Sequence, residues 1–252
     1  MRNATIDKMK TMRLFGMIRI YQSLYEHSTF SEMTIDEVLA GMIDAEWDER
    51  YNRRLTRLLK QAKLRYQASI EHLSFNRKRK IDKGLMLRLS TCEWINEAKN
   101  IIITGKTGVG KSYLACALGH AACLNNYTVR YFNCLKIFND LKFAKADGTY
   151  NKKLTKIKKT NLIIFDDFGV RVMDTEARLI LLEILEDRYQ NGSIIISTQL
   201  PADKWFDIID DTTIADAVCD RIIHRAYSIN IKGDSMRKFD NNSGNKRQGL
   251  VL

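Results

Sequence analysis

The chain has 252 residues, 45% hydrophobic and 28% charged, enough for one large or two modest folded domains with a real core. Its 41 Lys and Arg against 30 Asp and Glu leave a net charge of +11, which points to a polyanionic partner, nucleic acid or an anionic membrane surface. No apolar run approaches a membrane span and the N-terminus shows no signal-peptide pattern, so no membrane partner and a cytoplasmic location are expected. Five cysteines, odd in number and never spaced C-x-x-C, read as reduced packing thiols without a metal site.

In chain order, residues 4–27 have the apolar spacing of one amphipathic helix, through Ile6, Met9, Phe15, Ile18 and Tyr21. Thr34-Ile35-Asp36-Glu37 is a capping box. It opens a long helix, reaching Arg65 or beyond, with Leu39, Met42, Ile43, Trp47, Tyr51, Leu55, Leu58 and Ala62 on one face. Phe15, Tyr21, Trp47 and Tyr51 are expected in a core. The first half of that helix is acidic and the second basic. From Arg50 to Arg88 there are 13 Lys and Arg against Glu71 and Asp82, a net +11 that matches the surplus of the whole chain. Such a density of one sign predicts phosphate contacts by Arg50, Arg53, Arg54, Arg57, Lys60 and the run Arg77-Lys78-Arg79-Lys80. A solvated charged face is the alternative. Residues 76–99 read as a basic linker with a short helix.

From Asn100 strands and helices alternate. Strands are expected at 101–104, 128–132, 162–165, 193–197 and 227–231, and helices at 111–124, 135–144 and 175–190. This is an α/β three-layer domain with a parallel sheet. The first strand runs into Gly105-Lys106-Thr107-Gly108-Val109-Gly110-Lys111-Ser112, followed by Tyr113, which fits G-x-x-x-x-G-K-[ST] at every fixed position. Glycine lets backbone N–H groups close on phosphate oxygens, and the following helix offers its positive end. These nine residues are the expected ATP contacts. Lys111 brings charge to the β- and γ-phosphates, and the Ser112 hydroxyl can ligate Mg²⁺.

Leu162-Ile163-Ile164-Phe165 ends in Asp166-Asp167, 55 residues after Lys111. Asp166 is expected in the Mg²⁺ shell and Asp167 beside the attacking water. A polar residue of Ser197-Thr198-Gln199 could reach the γ-phosphate. Arg221 in Asp220-Arg221-Ile222-Ile223-His224 either projects into a neighbour's site or forms a surface salt bridge with Asp216 or Asp220. Arg237 is a further candidate beyond the last strand. Lysines 142–159, among them Lys152, Lys153 and Lys156, surround a Gly-containing loop and either touch DNA or are solvated.

These segments resemble the IstB-type transposition helper ATPases, close to DnaC-type helicase loaders within the AAA+ superfamily. The resemblance rests on Met12-Arg13-Leu14-Phe15-Gly16-Met17, Ile43-Asp44-Ala45-Glu46 and Arg53-Arg54-Leu55 in the N-terminal part. In the core it rests on the P-loop, Asp166-Asp167-Phe168-Gly169, Asp220-Arg221-Ile222-Ile223-His224 and Lys232-Gly233-Asp234-Ser235-Met236-Arg237. It implies a small helical N-terminal domain for DNA binding or self-association (1–75), the basic linker (76–99) and an AAA+ domain (100–239). That domain would have a five-stranded parallel sheet with the Thr198 strand between the P-loop and Asp166 strands; in departure from many AAA+ proteins, the stretch after the last strand is too short for a full helical lid, and none is expected. The polar tail (240–252) is expected to be disordered. The resemblance further implies sensor roles for Thr198 and Arg237 and an arginine finger at Arg221. It implies slow Mg²⁺-dependent ATP hydrolysis at sites completed between protomers, a ring or spiral homo-oligomer on duplex DNA, and a transposase partner. Many AAA+ ATPases carry Glu where Asp167 stands, hence the expectation of slow turnover. A helicase loader binding single-stranded DNA is the runner-up.

Overall fold

The computed structural model describes residues 2–27, 33–75 and 79–236. It divides into two units, Met1–Arg57 and Leu58–Leu252. The division falls earlier than the boundary expected after residue 75, and several apolar side chains of residues 58–99 are buried in the second unit. Ala62, Ala68, Leu73, Met86 and Leu89 are all buried, and the Trp94 indole donates to the Leu89 carbonyl at 2.9 Å.

The first unit holds α1 (Arg2–Thr11), α2 (Phe15–Glu26) and most of α3 (Ile35–Ala62). The single helix expected over 4–27 is broken, with Arg13 in the left-handed region at φ 58° and Leu14 N donating back to Met9 O at 2.9 Å. The break lets α2 lie against α3. A Cβ at Gly16 would stand 2.2 Å from the Ala45 carbonyl oxygen, so glycine is required for this approach. The Gly16 N–H donates to Glu46 Oε2 at 2.8 Å and Arg50 Nε to Glu46 Oε1 at 2.7 Å, which satisfies an otherwise buried carboxylate. The capping box forms reciprocally: Thr34 N donates to Glu37 Oε2 at 2.7 Å and Glu37 N to Thr34 Oγ1 at 3.3 Å. The helix stops at Ala62, short of Arg65, because Lys63 turns left-handed at φ 52°. The expected core is corrected: on the apolar face of α3 Met42 and Ala45 are buried, but Trp47 is 74% exposed, Leu39 and Ile43 are about half exposed and Tyr51 is exposed, and Phe15 on α2 is about half exposed.

In the second unit α4 (Lys83–Ser90) and α5 (Glu93–Asn96) lead into β1 (Asn100–Thr104) and α6 (Lys111–Leu124). Then come β2 (Val129–Asn133), α7 (Cys134–Ala146), α8 (Tyr150–Lys158), β3 (Leu162–Phe168), α9 (Thr175–Arg188) and β4 (Ser193–Thr198). After these, α10 (Trp205–Ile209) and α11 (Thr212–Ile223) precede β5 (Ala226–Asn230). The strands form one parallel sheet in the order β2-β3-β4-β1-β5. β4 therefore separates the P-loop strand from the Asp166 strand, as the resemblance implied. Strands β1, β3 and β4 are near-continuous Ile-rich runs because helices cover both faces. α7, α9, α10 and α11 build the core on one face with Phe165, Phe168 and Trp205, and α6 covers the other, packed against α4. The loop expected after residue 144 contains α8, formed because Leu154 and Ile157 bury one stripe while its lysines stay outside. No helix among the described residues is long and apolar enough to cross a membrane.

One buried cation holds the sheet's far edge. Arg188, only 2% exposed, donates to the carbonyls of Ile157, Thr160, Asn161 and Ser193 at 2.7–3.1 Å, and burial pushes its pKa down to about 10. It ties α8 and the starts of β3 and β4 together. Arg188→Met would strand those acceptors in the interior, so it is expected to cost about 3–5 kcal/mol. Thermal unfolding should show a melting temperature lower by roughly 10 °C.

Candidate functional site

Strand register brings the chemistry to one edge of the sheet. Thr104 lies opposite Thr198, and Asn133 opposite Asp166, so four strands end together at the crevice where an open α/β sheet binds ligands. The P-loop leaves β1 there and wraps the start of α6. Gly110 sits at φ 99°, and a Cβ on it would come 2.6 Å from the Arg79 guanidinium. Lys111 is buried and its Nζ donates to the Lys106 carbonyl at 2.9 Å, which fixes the ammonium across its own loop.

β3 irregularly bulges against β4 between Phe165 and Phe168, and Asp167 occupies the left-handed region at φ 57°. The bulge turns consecutive carboxylates to different uses. Asp166 is fully buried, its Oδ1 accepting from Ser112 Oγ at 2.9 Å and its Oδ2 from the Tyr131 hydroxyl. Asp167 lines the cavity, and its Oδ2 accepts from Asn133 Nδ2 at 2.9 Å. Arg65 Nη1 lies 3.6 Å from an oxygen of each carboxylate. Its hydrogen bond with Tyr131 leads the factors raising the Arg65 pKa, while burial and the neighbouring Asp166 push the tyrosine well above the usual phenol range.

Of these groups Arg65, Lys111, Ser112 and Asp167 line a cavity of about 610 Å³, whose walls also include Tyr66, His72, Leu73, Tyr113, Gln199 and Met236. That is a volume suited to a nucleotide. Two carboxylates and a serine hydroxyl are hard oxygen donors that fit Mg²⁺ completed by phosphate oxygens and water. Asp166 and Ser112 are the residues that would hold it.

The other expected residues fall in several places. Thr198 is buried, its hydroxyl donating to Phe168 O at 2.8 Å and accepting from Leu200 N at 3.1 Å. Its neighbour Gln199 reaches the loop, taking a hydrogen bond from Thr107 Oγ1 at 2.7 Å. Arg79, grouped by sequence with the DNA contacts, is in the cavity wall, donating to Val109 O at 2.7 Å, and burial lowers its pKa. Arg77, Lys78 and Arg237 lie outside the described residues, as does the tail. The chain beyond β5 is nonetheless tied to the loop, by Met236 N donating to Gly108 O at 2.9 Å.

Arg221 is at the opposite edge of the sheet. Its carbonyl accepts from Asn100, the first residue of β1, and its guanidinium pairs with Glu186 at 3.2 Å rather than with Asp216 or Asp220. It cannot serve the cavity of its own chain. Arg50, Arg53, Arg54, Arg57 and Lys60 are exposed on α3, with Arg50 and Arg53 paired to Glu46 and Glu49 one turn back. Lys152, Lys153 and Lys156 are exposed on α8. Lys142, Lys145 and Lys158 are paired with Asp174, Glu176 and Asp187.

Tyr131, Asn133 and Arg65 are not singled out by the sequence, and Gln199 is offered there only as one of the three polar residues 197–199. The first two had a signal: they alternate on β2, so both face one side of the sheet.

Fold and site together define an α/β P-loop domain with a five-stranded parallel sheet. Residues 7–244 match the model of the IstB-like ATP binding protein family, and the chain belongs to that family. It is 40% identical over 93% of its length to a protein of Sinorhizobium fredii described as an insertion sequence ATP-binding protein, covering 96% of that relative. A similarly described insertion sequence protein of Pseudomonas fluorescens is 36% identical, over 79% of this chain and 86% of its own. Among solved structures, the DnaC helicase loader superposes with a TM-score of 0.55 at 20% identity, over 68% of this chain and all of that one, a likeness of fold.

Proposed function

We propose that this chain is an ATP-hydrolysing transposition helper that oligomerises on duplex DNA and assists a transposase. The observation that carries the reading is the meeting of Lys111, Ser112 and Asp167 on the wall of a nucleotide-sized cavity, with Asp166 buried directly behind Ser112 and hydrogen-bonded to it. The family and the description of its members as insertion sequence ATP-binding proteins support the context.

In this reading the P-loop amides and Lys111 bind and orient the triphosphate. Ser112 and Asp166 hold Mg²⁺, which when bound shields the charge of the phosphates. Asp167 positions the water and takes its proton, with Asn133 setting the carboxylate's orientation. Gln199, hydrogen-bonded to the loop, is better placed than Thr198 to meet the γ-phosphate. Thr198 instead fixes the backbone turn that presents it. Tyr66, Leu73 and Tyr113 offer ring and aliphatic surface for the base. Arg221 acts on a neighbouring protomer's nucleotide, since its own cavity is at the other edge of the sheet. The exposed arginines of α3 and lysines of α8 grip phosphates with little base readout.

Titration of a fluorescent ATP analogue into the full chain tests the nucleotide reading. Saturable, Mg²⁺-dependent binding is expected, and its absence would refute that reading. Duplex and single-stranded oligonucleotides compared in the nucleotide-bound state separate a transposition helper from a helicase loader. Strict single-strand dependence would favour the loader.

A further inference from the structure

The two carboxylates of the site are already engaged from within the chain. Asp166 has both oxygens engaged, by Ser112 and by Tyr131, and Asp167 is held by Asn133. Between them stands Arg65, one nitrogen 3.6 Å from Asp166 Oδ2 and 3.6 Å from Asp167 Oδ2. A guanidinium at the convergence of two carboxylates compensates their mutual repulsion. A divalent cation held by Asp166 and Ser112 needs the same ground, and like charges exclude one another there.

Arg65 is also built to leave. Its side chain is 42% exposed, so the guanidinium can be hydrated away from the carboxylates. It packs over the Tyr66 ring at 5.4 Å, and Tyr66 in turn sits 6.2 Å from Tyr113 on the cavity wall. The residue lies three positions past the end of α3 and two past the left-handed Lys63, a joint where the chain changes direction.

We propose that Arg65 is an internal counter-cation of the magnesium site: it holds the Asp166–Asp167 pair until nucleotide-bound Mg²⁺ displaces it, so that loading the cavity frees the segment that follows α3. This rests on reading the cavity as an ATP·Mg²⁺ site. Displacement makes Mg²⁺ entry competitive with Arg65. The wild-type chain should therefore need more metal than its carboxylates alone would require.

The test is the magnesium dependence of the full chain and of Arg65→Ala and Arg65→Gln, with Arg65→Lys retaining a cation. Two readouts are used: half-saturation by Mg²⁺ at fixed fluorescent ATP analogue, and the thermal shift given by Mg²⁺ alone without nucleotide. The neutral variants should reach half-saturation at about tenfold lower Mg²⁺ and gain a larger thermal shift, with Arg65→Lys close to wild type. Equal magnesium dependence in all four proteins would overturn the proposal. So would weaker nucleotide binding in the neutral variants, which would make Arg65 a phosphate ligand. If no protein binds the analogue at any Mg²⁺ concentration, the nucleotide reading itself fails. If all bind with one Mg²⁺ requirement, only the counter-cation role fails.

Discussion

Lys111→Ala will weaken binding of an ATP analogue about 100-fold, roughly 3 kcal/mol, while leaving the melting temperature of the nucleotide-free chain near wild type. The ammonium lies in the loop interior, held by the Lys106 carbonyl. Its removal takes away the charge nearest to the phosphates. The loop keeps its shape through Gly110, the Arg79–Val109 hydrogen bond and the Met236–Gly108 backbone bond. Isothermal titration beside a thermal melt separates the two effects. Unchanged affinity would mean that the triphosphate does not lie along this loop.

Asp167→Ala should do the reverse. Affinity for ATP is expected to stay within about threefold, while turnover falls about 10²–10⁴-fold, the range for loss of a general base. The side chain lies at the cavity wall, and Asp166, not Asp167, carries the hydrogen bond from Ser112. Single-turnover hydrolysis measured with saturating nucleotide reads the chemical step directly. Hydrolysis at the wild-type rate would transfer the base role elsewhere.

How much of this was legible in the sequence depended on the range of the interaction. The P-loop, the Asp166-Asp167 strand end and the alternation from Asn100 are local patterns, read by spacing and side-chain type alone. The capping box at Thr34 was local too, and it forms. The break at Arg13 was not legible, because no proline or glycine stands there and the turn answers to the packing of Gly16 on Ala45. Trp47 and Ile43 repeat at helical spacing but are exposed. Periodicity shows that a face is apolar without showing what covers it.

In the site, Asn133 reaches Asp167 only because β2 and β3 pair in a register that sets Asn133 beside Asp166. Arg65 reaches both carboxylates across about a hundred residues of chain, and by sequence it looked like one more cation in a basic run. The same holds for Arg79. Arg188 is the sharpest case: an arginine at the end of α9, buried because four carbonyls from α8, the turn before β3 and the start of β4 converge on it.

The central claim is that ATP assembles this chain into an oligomer on duplex DNA, with Arg221 completing the neighbour's site. Sedimentation velocity of the full chain with duplex DNA and a non-hydrolysable ATP analogue tests it most directly. The account predicts a large shift to faster-sedimenting complexes that requires both nucleotide and DNA and is lost in Arg221→Ala, whose monomer still binds the analogue. Sedimentation as a monomer under all conditions, or assembly indifferent to nucleotide, would contradict it.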